Sequence, residues 1–404
     1  MTTRRSFLQS GAVAAAALAT RAWPAHAENA PGVTDTEIKI GQTMPYSGPA
    51  SAYGVVGRTE AAYFKMINEQ GGIKGRKIDL ISLDDAYSPP KTVEQVRRLV
   101  EQEQVAFLAS TLGTAPNMAI RQYCNDNKVP ELFVLSGAAT FSDPQHFRWT
   151  IGFIPSYQTE ARIFAKHILA TNPDAKIAVL YQNDSFGKDY LIGLKDVLGP
   201  DRAGMIVKEA SYEISEPTVE SQVVTLQGSG ADVLLIAATP KFGAQAIRKT
   251  FDLGWNAARY LSSPSQSIVT ALKPAGLDKS KGLISALFVK DVNDPRWKDD
   301  PGVKEFQAFT TKYLSPIEFA DSSAAVGFTG AAMVVQVLKQ CGSDLSRDNI
   351  MKQATNLHNF HAAALLPGID INTSPTNYHP IRGLVLGRFD GKSWVNFSQV
   401  IVGN

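Results

Sequence analysis

Two short apolar runs, residues 106–109 and 132–135, each end in a loop of small hydroxyl residues and glycine, and this repeat leaves few folds open. Each run is too short for a helix and is bounded by turn signals, so each reads as a buried parallel strand. The first loop is Ser110-Thr111-Leu112-Gly113-Thr114 and the second is Ser136-Gly137-Ala138-Ala139-Thr140. In a doubly wound α/β sheet, ligands sit in the crevice beyond the carboxyl ends of the strands. A helix predicted from about Ala115, with Pro116 in its first turn, would aim free N–H groups and a positive dipole end at that crevice. The hydroxyls of Thr111 and Thr140 would complete a cradle for an anion. Helix capping alone explains either loop singly, but not the pair side by side.

The rest of the chain alternates strand and helix. A strand over 37–41 leads through the turn-rich loop Met44-Pro45-Tyr46-Ser47-Gly48-Pro49 to a helix over 58–69. A strand over 77–84 and a helix over 89–104 follow, the helix with Val93, Val96, Leu99 and Val100 on one face. After Arg148 a second run of the same kind begins. It has helices over 159–170, from Phe186-Gly187, and over 243–253, with strands near 176–180, 206–210, 233–237 and 260–261. Alternation of this kind implies parallel sheets with right-handed crossovers, and two runs imply two similar α/β lobes. Past Gly282 the pattern changes to a strand over 283–289, a polar turn from Lys290 to Pro295, and helices over 302–313, 323–340 and 347–354. Segments 382–389 and 394–400, joined by Asp390-Gly391-Lys392, read as a hairpin.

The first residues carry an export signal. Thr3-Arg4-Arg5-Ser6-Phe7-Leu8-Gln9 has the twin-arginine pattern, an Ala-rich apolar run covers 11–19, and Ala25-His26-Ala27 offers a cleavage site ahead of Glu28. The apolar run is about half a membrane span, and no Cys near the cleavage point offers a lipid anchor. The expected location is therefore the periplasm, without a membrane anchor. Residues 1–27 hold Arg4, Arg5 and Arg21 and no acid, so the remainder has 37 Lys+Arg against 38 Asp+Glu. That balance argues against a nucleic-acid partner, which calls for a basic face. Cys124 and Cys341 could form a disulfide in an exported protein or stay as two buried thiols.

Enzyme motifs find little support. Gly228-Ser229-Gly230 precedes a strand instead of following one, and the P-loop and G-x-S-x-G patterns are missing. His358 and His361 share a helical spacing but lack an evident third ligand, so a solvated surface pair is expected. Asp84-Asp85 and Asp299-Asp300 read as turn or cap acids.

This order of elements resembles the leucine/isoleucine/valine-binding family, the type I periplasmic solute-binding proteins of ABC transporters, across essentially the whole mature chain. The resemblance implies two doubly wound lobes with parallel sheets, joined by three hinge crossovers. Residues 28–148 with 286–365 would form the N-terminal lobe, and 149–285 with 366–404 the C-terminal one. It implies a small-molecule ligand, no cofactor or metal, and delivery to an ABC permease with its ATPase subunits in the inner membrane. Tyr46, Ser47 and Tyr53 fall in the family's first ligand loop, with Tyr53 on its ligand-covering Tyr. Thr111, with Leu112, Gly113 and Thr114, falls where the family places a carboxylate-binding Ser. Ser136, Ala138, Ala139 and Thr140 fall on the next contact loop. Phe186 matches an aromatic that closes from the second lobe.

The departures point to the ligand. The family's second-lobe acid, which holds a ligand ammonium, falls near Ser263-Pro264-Ser265, and its acid-bearing crossover reads Ile154-Pro155-Ser156-Tyr157-Gln158. Neither segment has an acid. A second-lobe aromatic position falls on Thr239, with Phe242 a turn away. A buried ammonium without a counter-charge is costly. The expected ligand is therefore a carboxylate without an α-ammonium, an aromatic acid suited to Tyr46, Tyr53, Tyr157, Phe186 and Phe242. The alternative is an amino acid held by an acid from elsewhere, such as Asp291. Lys290 is expected to be solvated, and a sensing role for a membrane receptor remains a second alternative to transport.

Overall fold

The structure, a computed structural model, describes residues 29–402; the twin-arginine pattern and the cleavage site lie outside them. Strand β1 (Glu37–Met44) runs past the expected end at residue 41, because it pairs in parallel with β2 (Lys77–Asp84) along its whole length, Glu37 opposite Lys77 and Met44 opposite Asp84. On its other side lies β3 (Phe107–Ala109), followed by β4 (Glu131–Val134) and β5 (Thr150–Gly152). The order β2-β1-β3-β4-β5 is all parallel and reverses between β1 and β3.

The second sheet repeats this design. Strands β6 (Ile177–Gln182), β7 (Ile206–Tyr212), β8 (Val233–Ala237), β9 (Ala258–Leu261) and β10 (Ile284–Leu287) pair in parallel in the order β7-β6-β8-β9-β10, with the reversal between β6 and β8. Antiparallel β11 (Gly383–Phe389) and β12 (Trp394–Asn396) extend it as the expected hairpin, and β13 (Ile401–Val402) pairs back on β11. The sheets pass their boundaries a few residues later than the expected splits at 148 and 285. Strand β5 must pair with β4 before the first crossover, and β10 with β9 before the second.

The helices cover the sheets as α1 (Gly54–Glu69), α2 (Pro89–Arg97), α3 (Thr114–Asp126), α4 (Tyr157–Thr171), α5 (Ser185–Arg202), α6 (Glu220–Gln227) and α7 (Pro240–Asp252). Helix α6 went unread in the sequence because only Val223 and Leu226 of its eight residues are buried, too few for a periodic signal. The later helices Pro301–Tyr313 and Ser322–Cys341 return to the first lobe, which makes the topology that of two doubly wound lobes with three crossovers. Helix Ser322–Cys341 is long and apolar enough to cross a membrane by composition, but 78% of its most apolar window is buried. It packs so closely on α1 that a Cβ on Gly327 would sit 2.7 Å from the Val56 carbonyl oxygen. Both cysteines are free and buried.

Candidate functional site

In each sheet the strand order reverses at a point where the loops diverge and leave a crevice. The loops after β3 and β8 meet across one cleft. Six α-helices begin at its wall: α1 just after Tyr53, α3 at Thr114, α4 at Tyr157, α5 at Ser185 beside Phe186, α7 just after Thr239, and Ser322–Cys341 at Ser322. Asp184 caps α5 by accepting from the Gly187 N–H, and Asp321 caps Ser322–Cys341 through the Ser323 N–H. The heads of α3, α4 and α7 carry no side-chain cap. Their partial positive charge therefore faces a cleft whose described lining residues include no Asp, Glu, Lys, Arg or His.

Of the residues expected from sequence, Tyr53, Leu112, Gly113, Thr114, Tyr157, Phe186, Thr239 and Ser263 line this cleft. Tyr53 also crosses it, its hydroxyl donating to the Pro264 carbonyl at 3.0 Å. Thr111 and Thr140 do not reach the cleft. Leu112 faces it, whereas the preceding Thr111, in the loop beyond β3, turns its Oγ1 away to donate to Glu131 Oε1 at 3.4 Å. The Thr140 hydroxyl accepts from Arg121 Nη1 at 2.6 Å. The hydroxyl pair at the head of α3 is instead Thr114 Oγ1 and Ser136 Oγ, 2.7 Å apart, of which only Thr114 lines the cleft.

The other expected contacts serve the walls. Tyr46 hydrogen-bonds Ser82 at 2.7 Å, and Ser47 gives its N–H and hydroxyl to Asp84. Ala138 is buried with its N–H donated to Ser136 Oγ. The Ala139 N–H crosses to the second lobe and donates to Asp189 Oδ2 at 2.7 Å. Phe242 is fully buried against Tyr212, ring centroids 4.4 Å apart.

The profile of the periplasmic binding protein family matches residues 37–393. The chain belongs to this family. Leu/Ile/Val-binding protein homolog 1 of Brucella suis is 24% identical over 340 residues, 77% of this chain and 86% of that protein. Homolog 3 of Brucella melitensis is 25% identical over 231 residues, 55% of this chain and 60% of that protein's length. The solved branched chain amino acid ABC transporter protein of Thermus thermophilus with bound valine superposes with a TM-score of 0.82 at 15% identity, covering 92% of this chain and 98% of that one. The solute binding protein of R. palustris in complex with 4-hydroxybenzoate gives 0.76 at 15%, covering 91% and 97%. These two likenesses establish a common fold.

In this periplasmic binding protein, several cleft residues escaped the sequence. Tyr87 has a left-handed backbone, φ 59°, as does Ala86 before it. The turn is held by Asp84, which accepts from the Ala86 N–H at 3.0 Å, and by Asp85, which accepts from the Tyr87 N–H at 2.9 Å and the Thr92 hydroxyl at 2.8 Å. The expected turn acids thus aim an aromatic ring into the site, and a Cβ on Gly113 would meet that ring at 2.5 Å. Burial and the nearby Asp184 charge push the Tyr87 hydroxyl well above its usual pKa. Gln266, Ser267, Ser322, Ser323 and Phe288 complete the wall from segments that carry no motif.

The segment Ser263-Pro264-Ser265 has no acid of its own, but packing brings one to it from a distant helix. Glu160 of α4, fully buried, accepts from the Ser263 N–H at 2.8 Å and its hydroxyl at 2.7 Å. Burial pushes its carboxyl up to about 7, with the two Ser263 bonds pulling the other way. It is not on the cleft wall. Asp291 accepts from the Trp394 and Asn293 N–H groups and does not line the cleft. Lys290 is no solvated lysine: it is 4% exposed and donates to Asp300 Oδ1 at 2.8 Å and to the Ala363 carbonyl at 3.0 Å. His358 and His361 have separate partners, Asn356 and Asp370. Among the described residues no His/Cys/Asp/Glu group is placed to hold a metal ion.

Proposed function

We propose that this solute-binding protein captures a small organic carboxylate without an α-ammonium, an aromatic acid, between its lobes. It hands that solute to an ABC permease and its ATPase subunits at the inner membrane. The observation that carries this reading is the neutral, ring-lined cleft at whose wall α3, α4 and α7 begin without a side-chain cap. Helix heads stabilise an anion and disfavour a cation, and an ammonium would meet no charged partner on the wall. Tyr53, Tyr87, Tyr157, Phe186 and Phe288 offer flat apolar faces for a ring. A related fold holds 4-hydroxybenzoate, which is consistent with such a solute. The amino-acid reading draws support from Glu160, which stands one residue behind Ser263, and from a related fold that holds valine. A thermal-shift screen of benzoate, cinnamate and phenylpropanoate beside leucine, valine and phenylalanine separates the two. At about 100 times its dissociation constant a true ligand adds roughly 2.7 kcal/mol. Shifts with the amino acids alone refute the aromatic-acid reading. Delivery to the periplasm would use the twin-arginine route, so replacing Arg4 and Arg5 by Lys should block export at unchanged charge.

A further inference from the structure

The cleft wall has a second polar region that the carboxylate does not explain. Gln266 lines the cleft and is 5% exposed, yet its amide oxygen Oε1 has no hydrogen-bond partner. The residue is fixed by its backbone, whose carbonyl accepts from Trp394 Nε1 at 2.9 Å. Beside it on the wall are Ser267, whose hydroxyl accepts from the Thr270 N–H, and Ser322 and Ser323 at the head of helix Ser322–Cys341. A buried amide left unpaired is costly and is rarely retained without a partner.

The chemistry of the missing partner follows from its surroundings. This helix head, unlike those of α3 and α7, already has an acid: Asp321, 3% exposed, accepts from the Ser323 N–H at 2.9 Å. A second carboxylate placed here would share a helix head that the Asp321 carboxyl already caps, and would meet the amide oxygen, an acceptor like itself. An apolar group would leave the amide unpaired. A hydroxyl satisfies both halves of the amide, since it donates to Oε1 and can accept from the NH2 group.

We propose that Gln266 reads a hydroxyl on the solute, placed away from the carboxylate that the uncapped helix heads hold. This rests on the carboxylate reading of the same cleft and narrows it to hydroxy-substituted acids. Gln266 then determines specificity: an acid that lacks the hydroxyl enters the same cleft but leaves the amide unpaired.

Matched pairs that differ only by a para hydroxyl test it: benzoate, cinnamate and phenylpropanoate, each against its hydroxylated form, titrated by calorimetry on the wild type and on Gln266→Met. The pair of best length should show about a tenfold preference for the hydroxylated acid in the wild type, and the ratio should fall to about one in Gln266→Met. The variant without ligand should melt no lower than the wild type, because an unpaired buried amide gives way to an apolar side chain of similar volume. Equal affinities within every wild-type pair would overturn the proposal without any need of the variant. So would a preference that survives Gln266→Met. In both outcomes the acids still bind and the carboxylate reading stands. If no acid of either kind binds and the amino acids do, the carboxylate reading itself fails and takes this proposal with it.

Discussion

Replacing Glu160 by Gln should change how stability depends on pH, and the structure gives the size and the sign. Glu160 is fully buried on α4, and burial lifts its carboxyl from an ordinary 4.5 to about 7 against the two Ser263 hydrogen bonds. The folded state therefore holds this proton to higher pH than the unfolded chain does. Its contribution is complete below about pH 4.5 and is lost as pH rises through about 7. The difference in pKa corresponds to about 3 kcal/mol. Gln cannot titrate, so Glu160→Gln should gain about 3 kcal/mol relative to the wild type between pH 4 and pH 8, or about 4 °C in melting temperature for a chain of this length. Burial also raises the carboxyls of Glu60, to about 8, and of Glu131, to about 7. Both are common to the two proteins and cancel in the difference. The assay is urea unfolding of both proteins at a series of pH values, with the slopes compared to check that the same surface is exposed. A difference that stays flat from pH 4 to pH 8 would refute the reasoning. It would mean that the Ser263 donors outweigh desolvation and that Glu160 is ionised in the fold throughout.

Gly113→Ala should lower ligand affinity at least tenfold and stability by about 2 kcal/mol, because φ is +107° and the new Cβ would meet the Tyr87 ring at 2.5 Å. Calorimetry beside a melting curve checks both, and unchanged affinity would remove Tyr87 from the site. Tyr53→Phe loses the 3.0 Å bond to the Pro264 carbonyl that spans the cleft, about 1 kcal/mol of the closed state, so apparent affinity should fall about fivefold. If ligand contacting both lobes favours a closed state, the radius of gyration falls on binding, and the variant should need more ligand to reach that lower value in scattering. Asp300→Ala strands the buried Lys290 ammonium and should cost about 3 kcal/mol in urea unfolding, most of it recovered when Lys290→Met is added.

Much of the fold was legible because its signals are local. Short apolar runs ending in Gly and Ser are strands followed by turns, and apolar residues at helical spacing mark the helices between them, whatever else the chain does. The topology follows from their order, since parallel strands need crossovers of one hand. Thr114 could be read for the same reason, since it closes the loop after a recognisable strand, whereas Tyr53, Tyr157 and Phe186 were placed only by the resemblance to the family.

The chemistry of the cleft was settled at finer resolution than such signals carry. One residue's step in the loop beyond β3 changes what a side chain meets, so Leu112 reaches the cleft and Thr111 turns to Glu131. Tyr87 enters only because two acids hold its turn in a left-handed backbone, a conformation that composition does not announce. Glu160 and Ser263 are 103 residues apart in the chain and 2.7 Å apart in the fold. Trp394 holds Gln266 across 128 residues. The sequence by itself determined the two lobes, the strand ends and the helix that begins after the loop at Ser110–Thr114, because these depend on neighbours within a few residues. Which hydroxyls face the ligand, which acids are withdrawn behind the wall, and which amide is left without a partner were decided only by packing, where the cost of burying a polar group depends on what distant segments bring to meet it.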